Sequence, residues 1–285
     1  MYASFRHYDL VKRCLYLFAG SRFPDGRMSA CVFTDGEPAA DDTYLMDYAL
    51  QAPMALEEYL EATDDREALD DLLEVSLRQA DIVLERYLTA RGIISDEGAA
   101  AGFIDWSDDL DRRACLQAVL IMALDACGAL CRRAGDTARA EAYGSKARRL
   151  RDAAVRDYWS EAEGCFVSGG QVSVHSQVYM ILSGVMPAGM AARAVKKGLD
   201  GGIGMNTPYM HHYYVTALLL SGQRAAAERH LREYWGGMIA AGDDTFREYW
   251  DPADPDGSPY GGRIVNSYCH AWSCSPVYVI SRYLS

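Results

Sequence analysis

A helical hydrophobic period, interrupted by two kinds of junction, constrains this chain more than any other feature. Leu69, Leu72, Leu73, Ala80, Val83, Leu84, Tyr87 and Leu88 recur at helical intervals, while Arg78, Asp81 and Glu85 take other faces. The same reading predicts helices near 4–19, 41–62, 66–91, 111–134, 137–159, 173–185, 189–199, 208–221, 223–241 and 269–284. Thr63-Asp64-Asp65, Gly135-Asp136-Thr137 and Gly222-Gln223 separate successive patterns by only a few residues. At such junctions Gly ends one helix and Asp or Thr caps the next, which makes antiparallel helix hairpins. Longer loops at 20–40, 92–110, 160–172, 200–207 and 242–268 carry the Gly, Pro, Asp and aromatic residues. Repeat solenoids show a fixed period of roughly 34 to 47 residues, whereas these tight junctions are unequally spaced and no internal repeat is present. The pattern predicts an all-α fold: a closed toroid of helical hairpins whose long loops gather at one end. Gly164-Cys-Phe-Val-Ser-Gly is the one short hairpin expected, after the helix ending near Trp159.

Composition narrows the class. With 285 residues, half of them hydrophobic, and no Pro- or Gly-rich stretch, the chain reads as a single domain over 1–285. A net charge of −12 offers no general attraction for nucleic acid or for an anionic membrane surface. No stretch of about 18 apolar residues suggests a membrane span, and the N-terminus lacks the pattern of a signal peptide. The eight cysteines form no CxxC pair, and none has a histidine at zinc spacing. They read as reduced, buried thiols of a cytoplasmic protein. No metal and no cofactor is expected, because GxGxxG, P-loop, GxSxG and EF-hand patterns are all missing.

Three loops and two helix starts hold the residue types that carry chemistry. In Asp243-Asp-Thr-Phe-Arg-Glu-Tyr-Trp-Asp-Pro, Glu248 lies between aromatics with Trp250 two positions on. Rings that stack on a sugar face beside a carboxylate that handles a proton suit a sugar subsite. On this motif alone, an exposed loop acid beside buried aromatics remains equally open. Ser267-Tyr-Cys-His-Ala-Trp-Ser-Cys-Ser-Pro brings His270 and Trp272, and Phe103-Ile-Asp-Trp brings Asp105 and Trp106. A histidine at a helix start also serves as a structural hydrogen-bonder. His175 opens one later helix; His211 and His212 crowd the start of another, pointing about 100° apart and so poorly placed as joint metal ligands.

Taken in order, FIDW, HSQ, the Pro-Tyr helix start, YWGGMI, TFREYWD and CHAWSCSP resemble the catalytic domain of the bacterial α-L-rhamnosidases, inverting glycosidases of the six-hairpin (α/α)₆ class. The resemblance runs over nearly the whole chain. It implies that Glu248 is the general base acting on water, that the segment with His270 and Trp272 contacts the sugar through its histidine and that the Asp105-Trp106 loop lines the subsite with its tryptophan; His175 and Trp250 complete the expected substrate-binding set. Inversion needs two carboxyl groups roughly 6.5–9.5 Å apart. The resemblance places the general acid in an acidic, arginine-containing loop before the helix starting near Ser4, upstream of Met1, so the toroid is expected without its first one or two helices. Two positions depart from the family pattern: Gln51 where tryptophan is usual, and Arg247 in place of an aromatic before Glu248. The expected partners are a rhamnose-containing glycoside or oligosaccharide and a complementing N-terminal fragment. Asp41, Asp42 and Asp47 are the carboxylates that could otherwise take the acid role. The alternative is a non-catalytic glycan-binding or scaffold protein on the same fold.

Overall fold

A computed structural model of the chain describes residues 6–284; the expected helix start near Ser4 lies outside them. Twelve α-helices are seen among the described residues: α1 (Tyr8–Gly20), α2 (Met46–Ala49), α3 (Gln51–Thr63), α4 (Arg66–Arg86), α5 (Asp96–Ala100), α6 (Arg113–Arg133), α7 (Thr137–Tyr158), α8 (Val174–Leu182), α9 (Ala188–Asp200), α10 (Pro208–Leu220), α11 (Arg224–Ala240) and α12 (Ser275–Val279). The chain divides into two compact units. One runs to Phe103 and resumes over Arg112–Trp159; the other comprises Ile104–Asp111 and everything from Ser160 onward.

The three tight junctions each end one helix and start the next, though Asp64 rather than a glycine ends α3 and Gln223 gives α11 no side-chain cap. Asp64, Gly135 and Gly222 adopt left-handed φ values of 52°, 80° and 74°, the conformation that stops a helix and turns the chain back. Asp65 and Asp136 then cap the next helices by accepting from the backbone N–H of Ala68 and Arg139. The resulting hairpins, α3 with α4, α6 with α7 and α10 with α11, pack along their lengths.

In the first unit, α6 is the core helix, in contact with α3, α4 and α7. It is long and apolar enough to cross a membrane, with mean hydropathy 1.9, contrary to the expectation that no segment would be; 83% of that window is buried inside the protein itself. Gln117 is completely buried on α6 and donates to the carbonyls of Gly92 and Leu150 while accepting from the N–H of Ile94. Every polar atom of that side chain is thereby used. The thiols of Cys127 and Cys131, four residues apart, are buried there, and burial pushes both up from the ordinary thiol range. All eight cysteines are free thiols.

The second unit packs α8 against α9 and α10. Gly198 of α9 lets that helix approach α8 so closely that a Cβ there would sit 2.6 Å from Val174 Cα. Thr207 caps α10 by accepting from Met210 N, and Pro208 occupies the first turn.

Four boundaries differ from expectation. The segment predicted as helix over 41–62 starts at Met46 and is interrupted at Leu50, because Pro53 has no N–H to donate back to Ala49. The predicted loop 92–110 contains α5, capped by Ser95. The predicted loop 20–40 contains a two-residue hairpin, β1 (Val32–Phe33) with β2 (Ala39–Ala40). The last helix is shorter than predicted: a 3₁₀ turn over Ala271–Cys274, α12, then a π turn over Ile280–Leu284. The short hairpin after α7 is present, as β3 (Trp159–Ser160) with β4 (Cys165–Phe166).

Candidate active site

All seven residues expected to act as base or to bind substrate fall in the second unit. Glu248 reaches its position because two distant segments pair. Its backbone N–H donates to Ser267 O at 2.8 Å, and His270 N–H donates to Phe246 O at 2.9 Å. Ser273 Oγ donates to Arg247 O at 2.6 Å, and Trp272 Nε1 donates to Glu248 O at 3.0 Å. These bonds fold the His-Ala-Trp segment back over the Glu248 loop and bring both motifs to one place.

Glu248 is 6% exposed. Its Oε1 accepts from Tyr260 Oη at 2.6 Å and its Oε2 from Ser267 N at 3.3 Å. His270 Nδ1 stands 3.8 Å from Oε2. Burial holds the His270 imidazole below its ordinary range against the opposing pull of Glu248, so the ring is neutral near pH 7. Arg247 occupies the departure from the family pattern. It is paired with Asp243 at 2.6 and 2.7 Å, and its guanidinium lies 4.9 Å from the Trp250 ring centre and 5.2 Å from that of Tyr268. A flat guanidinium between two rings fills the place of an aromatic side chain.

Asp105 is a hub. It is 1% exposed and accepts four hydrogen bonds. Trp106 N at 2.9 Å and Thr207 Oγ1 at 2.7 Å donate to Oδ1; Asn206 N and His175 Nε2, both at 2.9 Å, meet Oδ2. Asn206 Nδ2 also donates to Trp106 O. The hub holds a bent backbone, since Ile104 has φ 62°, an uncommon conformation for a β-branched residue.

Aromatic rings line the site. Trp106 meets Tyr260 edge-on at 5.5 Å and 78°. Trp272 lies 4.4 Å from His270 and 5.6 Å from Tyr209, and Tyr209 meets Tyr213 edge-on at 4.9 Å. The structure therefore brings Glu248, His270, Trp272 and Trp106 together. It packs Asp105, His175 and Trp250 against other protein groups. His175 is fully buried with its Nε2 on Asp105. Trp250 is 4% exposed, beneath Arg247 and beside Gly237. All three are buried, as Glu248 is, and their hydrogen bonds and ring contacts run to other protein groups. Among the carboxylates considered as replacement acids, Asp47 is buried on Phe103 N and Asp41 closes a turn onto Thr43.

Tyr260, Tyr209, Asn206 and Thr207 were not singled out in the sequence. Thr207 had a legible signal, since Thr-Pro at a helix start marks a cap; Tyr260 had none, being one tyrosine in a loop of Asp, Gly and Pro. Among the described residues, no three His, Cys, Asp or Glu side chains group closely enough to hold a metal.

Comparison with known proteins shows the family and the fold. The profile of the bacterial alpha-L-rhamnosidase 6 hairpin glycosidase domain matches residues 1–284. A rhamnosidase from Klebsiella oxytoca, solved with rhamnose bound, is 39% identical with a TM-score of 0.93, covering 99% of this chain and 55% of that one. This chain thus spans about half the length of that relative. A GH78 family rhamnosidase of a Bacillus species is 22% identical (TM-score 0.79, 95% of this chain, 29% of that one). A GH63 mannosylglycerate hydrolase of Thermus thermophilus is 14% identical (TM-score 0.72, 94% and 87%). These last two show a shared fold alone. No curated protein matches the chain.

Proposed function

Since this chain belongs to the bacterial α-L-rhamnosidase six-hairpin glycosidase family, we propose that it is the catalytic domain of an inverting glycoside hydrolase acting on rhamnose-containing glycosides or oligosaccharides. The observation that carries this reading is the Glu248 carboxylate, nearly buried and tethered at both oxygens, beside His270, whose ring meets Trp272 and through it Tyr209, and linked through Tyr260 to Trp106. A carboxylate so held can take a proton from water as the water attacks the anomeric carbon. Trp106 and Trp272 supply ring surfaces for the sugar, and neutral His270 supplies a hydrogen bond to one of its hydroxyls. Asp105, His175 and Trp250 act from behind, holding those groups in place. The rhamnose in the Klebsiella relative supports the sugar assignment, and the profile match across both units supports reading 1–285 as one domain.

The leaving oxygen needs an acid. Tyr260 and His270 are the side chains at the Glu248 carboxylate, and inversion sets the acid carboxyl roughly 6.5–9.5 Å from the base. We assign it to the acidic, arginine-containing loop that the family resemblance implies. A cytoplasmic location is proposed from the free thiols.

Turnover of an aryl and an alkyl rhamnoside, paired with calorimetric titration of rhamnose, tests the reading. Aryl rhamnoside is expected to react faster, because its leaving group needs less protonation. Glu248→Gln is expected to lower that rate by about 10²–10⁴-fold, the usual contribution of a general base, while rhamnose still binds. Absence of rhamnose binding by both forms would leave only a scaffold.

A further inference from the structure

We propose that Tyr260 is the positioning residue that sets the orientation of the Glu248 carboxylate against the Trp106 wall, an inference that rests on the rhamnosidase reading. A glutamate carboxyl turns easily about its last torsion, whose preferences are broad, so a general base needs a tether that fixes its plane. Glu248 has three neighbours at its oxygens, and they are unequal. The Tyr260 hydroxyl at 2.6 Å falls in the range of a charge-assisted O–H···O⁻ bond. Ser267 N at 3.3 Å is a longer contact, and His270 Nδ1 at 3.8 Å is beyond hydrogen-bonding distance. The phenol is therefore the strongest tether. It occupies one lone pair of Oε1 and leaves others free to accept from water.

The tether is itself held. The Tyr260 ring meets Trp106 edge-on at 5.5 Å, a geometry in which the edge of one ring rests on the face of the other. Its backbone N–H donates to Ser258 Oγ at 3.1 Å, and Asn266 Nδ2 donates to Gly257 O at 2.8 Å, bracing the loop on either side. Tyr260 is 48% exposed, so its place comes from these bonds rather than from burial. Burial of the hydroxyl end and the bond to Glu248 push the phenol up to about 12, so the proton stays on Tyr260 and the carboxylate remains the acceptor at neutral pH. One side chain thus links the sugar-facing wall to the base, and the base is aimed only when the loop is in place.

Tyr260→Phe and Tyr260→Ala in the 285-residue chain provide the test. Phe keeps the ring contact and removes only the hydroxyl. Its kcat on aryl rhamnoside is expected to fall about tenfold, the scale of losing one charge-assisted bond that aligns a reacting group, with KM and rhamnose Kd unchanged within about twofold. Ala is expected to show the same fall in kcat together with several-fold weaker rhamnose binding, because Trp106 loses its edge contact. Crystal structures of parent and Tyr260→Phe give a readout that needs no substrate: one carboxylate orientation in the parent, and a turned or split Glu248 carboxylate in the variant. An unmoved carboxylate overturns the proposal whether or not the chain hydrolyses a rhamnoside, and so does an unchanged kcat. A parent that neither binds rhamnose nor turns over overturns the rhamnosidase reading instead, and the carboxylate orientation still decides the role of Tyr260.

Discussion

Replacing Asp105 with alanine removes one acceptor from four donors at once: Trp106 N, His175 Nε2, Asn206 N and Thr207 Oγ1. Each buried donor left without a partner costs about 1–3 kcal/mol. The four costs do not add in full, since the Thr207 hydroxyl can rotate and water can enter the space left by the carboxyl group. The expected loss of unfolding free energy is about 3–5 kcal/mol, at the upper end for a single substitution. Asp105→Asn separates shape from charge. Its amide nitrogen would face two donors, His175 Nε2 and Asn206 N, and the histidine can relieve one clash by moving its proton to Nδ1. The expected cost is then about 1–3 kcal/mol. Ile104 adds a second consequence. Its left-handed backbone costs about 1–2 kcal/mol and is held by the bonds to Asp105, so releasing them lets the turn relax and Trp106 swing away from Tyr260. Urea denaturation followed by tryptophan fluorescence measures the stability change, and rhamnose titration measures the displacement of Trp106. A double-mutant cycle with Thr207→Val isolates the strongest single contact. Stability of Asp105→Ala within about 0.5 kcal/mol of the parent, the scatter of ordinary surface substitutions, would refute the hub argument.

Two further expectations concern packing and pH. Gly198→Ala puts a Cβ 2.6 Å from Val174 Cα, 2.8 Å from Val174 N and 2.9 Å from Ser173 O, all backbone atoms. It is expected to destabilise by about 1–3 kcal/mol despite the better helix propensity of alanine. Gly236→Ala on α11 meets nothing within 4 Å, so it is expected to be neutral or stabilising by up to about 1 kcal/mol, and the pair is compared by urea midpoint. His211 Nδ1 and His230 Nε2 lie 2.7 Å apart, with Tyr234 stacked on His211 at 3.6 Å. Burial pushes His230 down to about 4 and His211 well below its ordinary range. The unfolded chain therefore binds more protons than the native one below about pH 6.5. Stability is expected to be full above that pH and to fall as pH drops toward 4. Urea midpoints between pH 7 and pH 5 should show the slope in the parent and a shallower one in His230→Phe; an equal slope in both would remove the histidine pair as its cause.

Some of this was legible because the physics is local. Asp64, Gly135 and Gly222 end helices through the left-handed conformation of a single residue, and Asp65 and Asp136 cap through a bond spanning three positions. A linear pattern contains everything those events need. The interruption at Leu50 was legible in principle, since Pro53 is visible, whereas the β1–β2 hairpin and the breakdown of the last helix into 3₁₀, α and π turns follow from packing that no short window contains. The site divides in the same way. Glu248, His270 and Trp272 were readable from residue type, because a carboxylate and an imidazole among indoles have a restricted set of uses.

What those residues do was decided by tertiary structure. Asp105 and Trp250 are both buried in the folded chain, and His175 joins Asp105 through a bond spanning 70 positions. The hub closes on Asn206 and Thr207, 101 and 102 positions from Asp105. Tyr260 matters only because pairing of the Glu248 loop with the Ser267–His270 segment carries its hydroxyl to within 2.6 Å of Oε1. Residue types and their period determined that this chain forms helical hairpins and carries an acid among aromatics. Which side chain faces a sugar, which holds another in place and which aims the base depends on solvent exclusion and on hydrogen bonds between distant segments, and these exist only once the chain has folded.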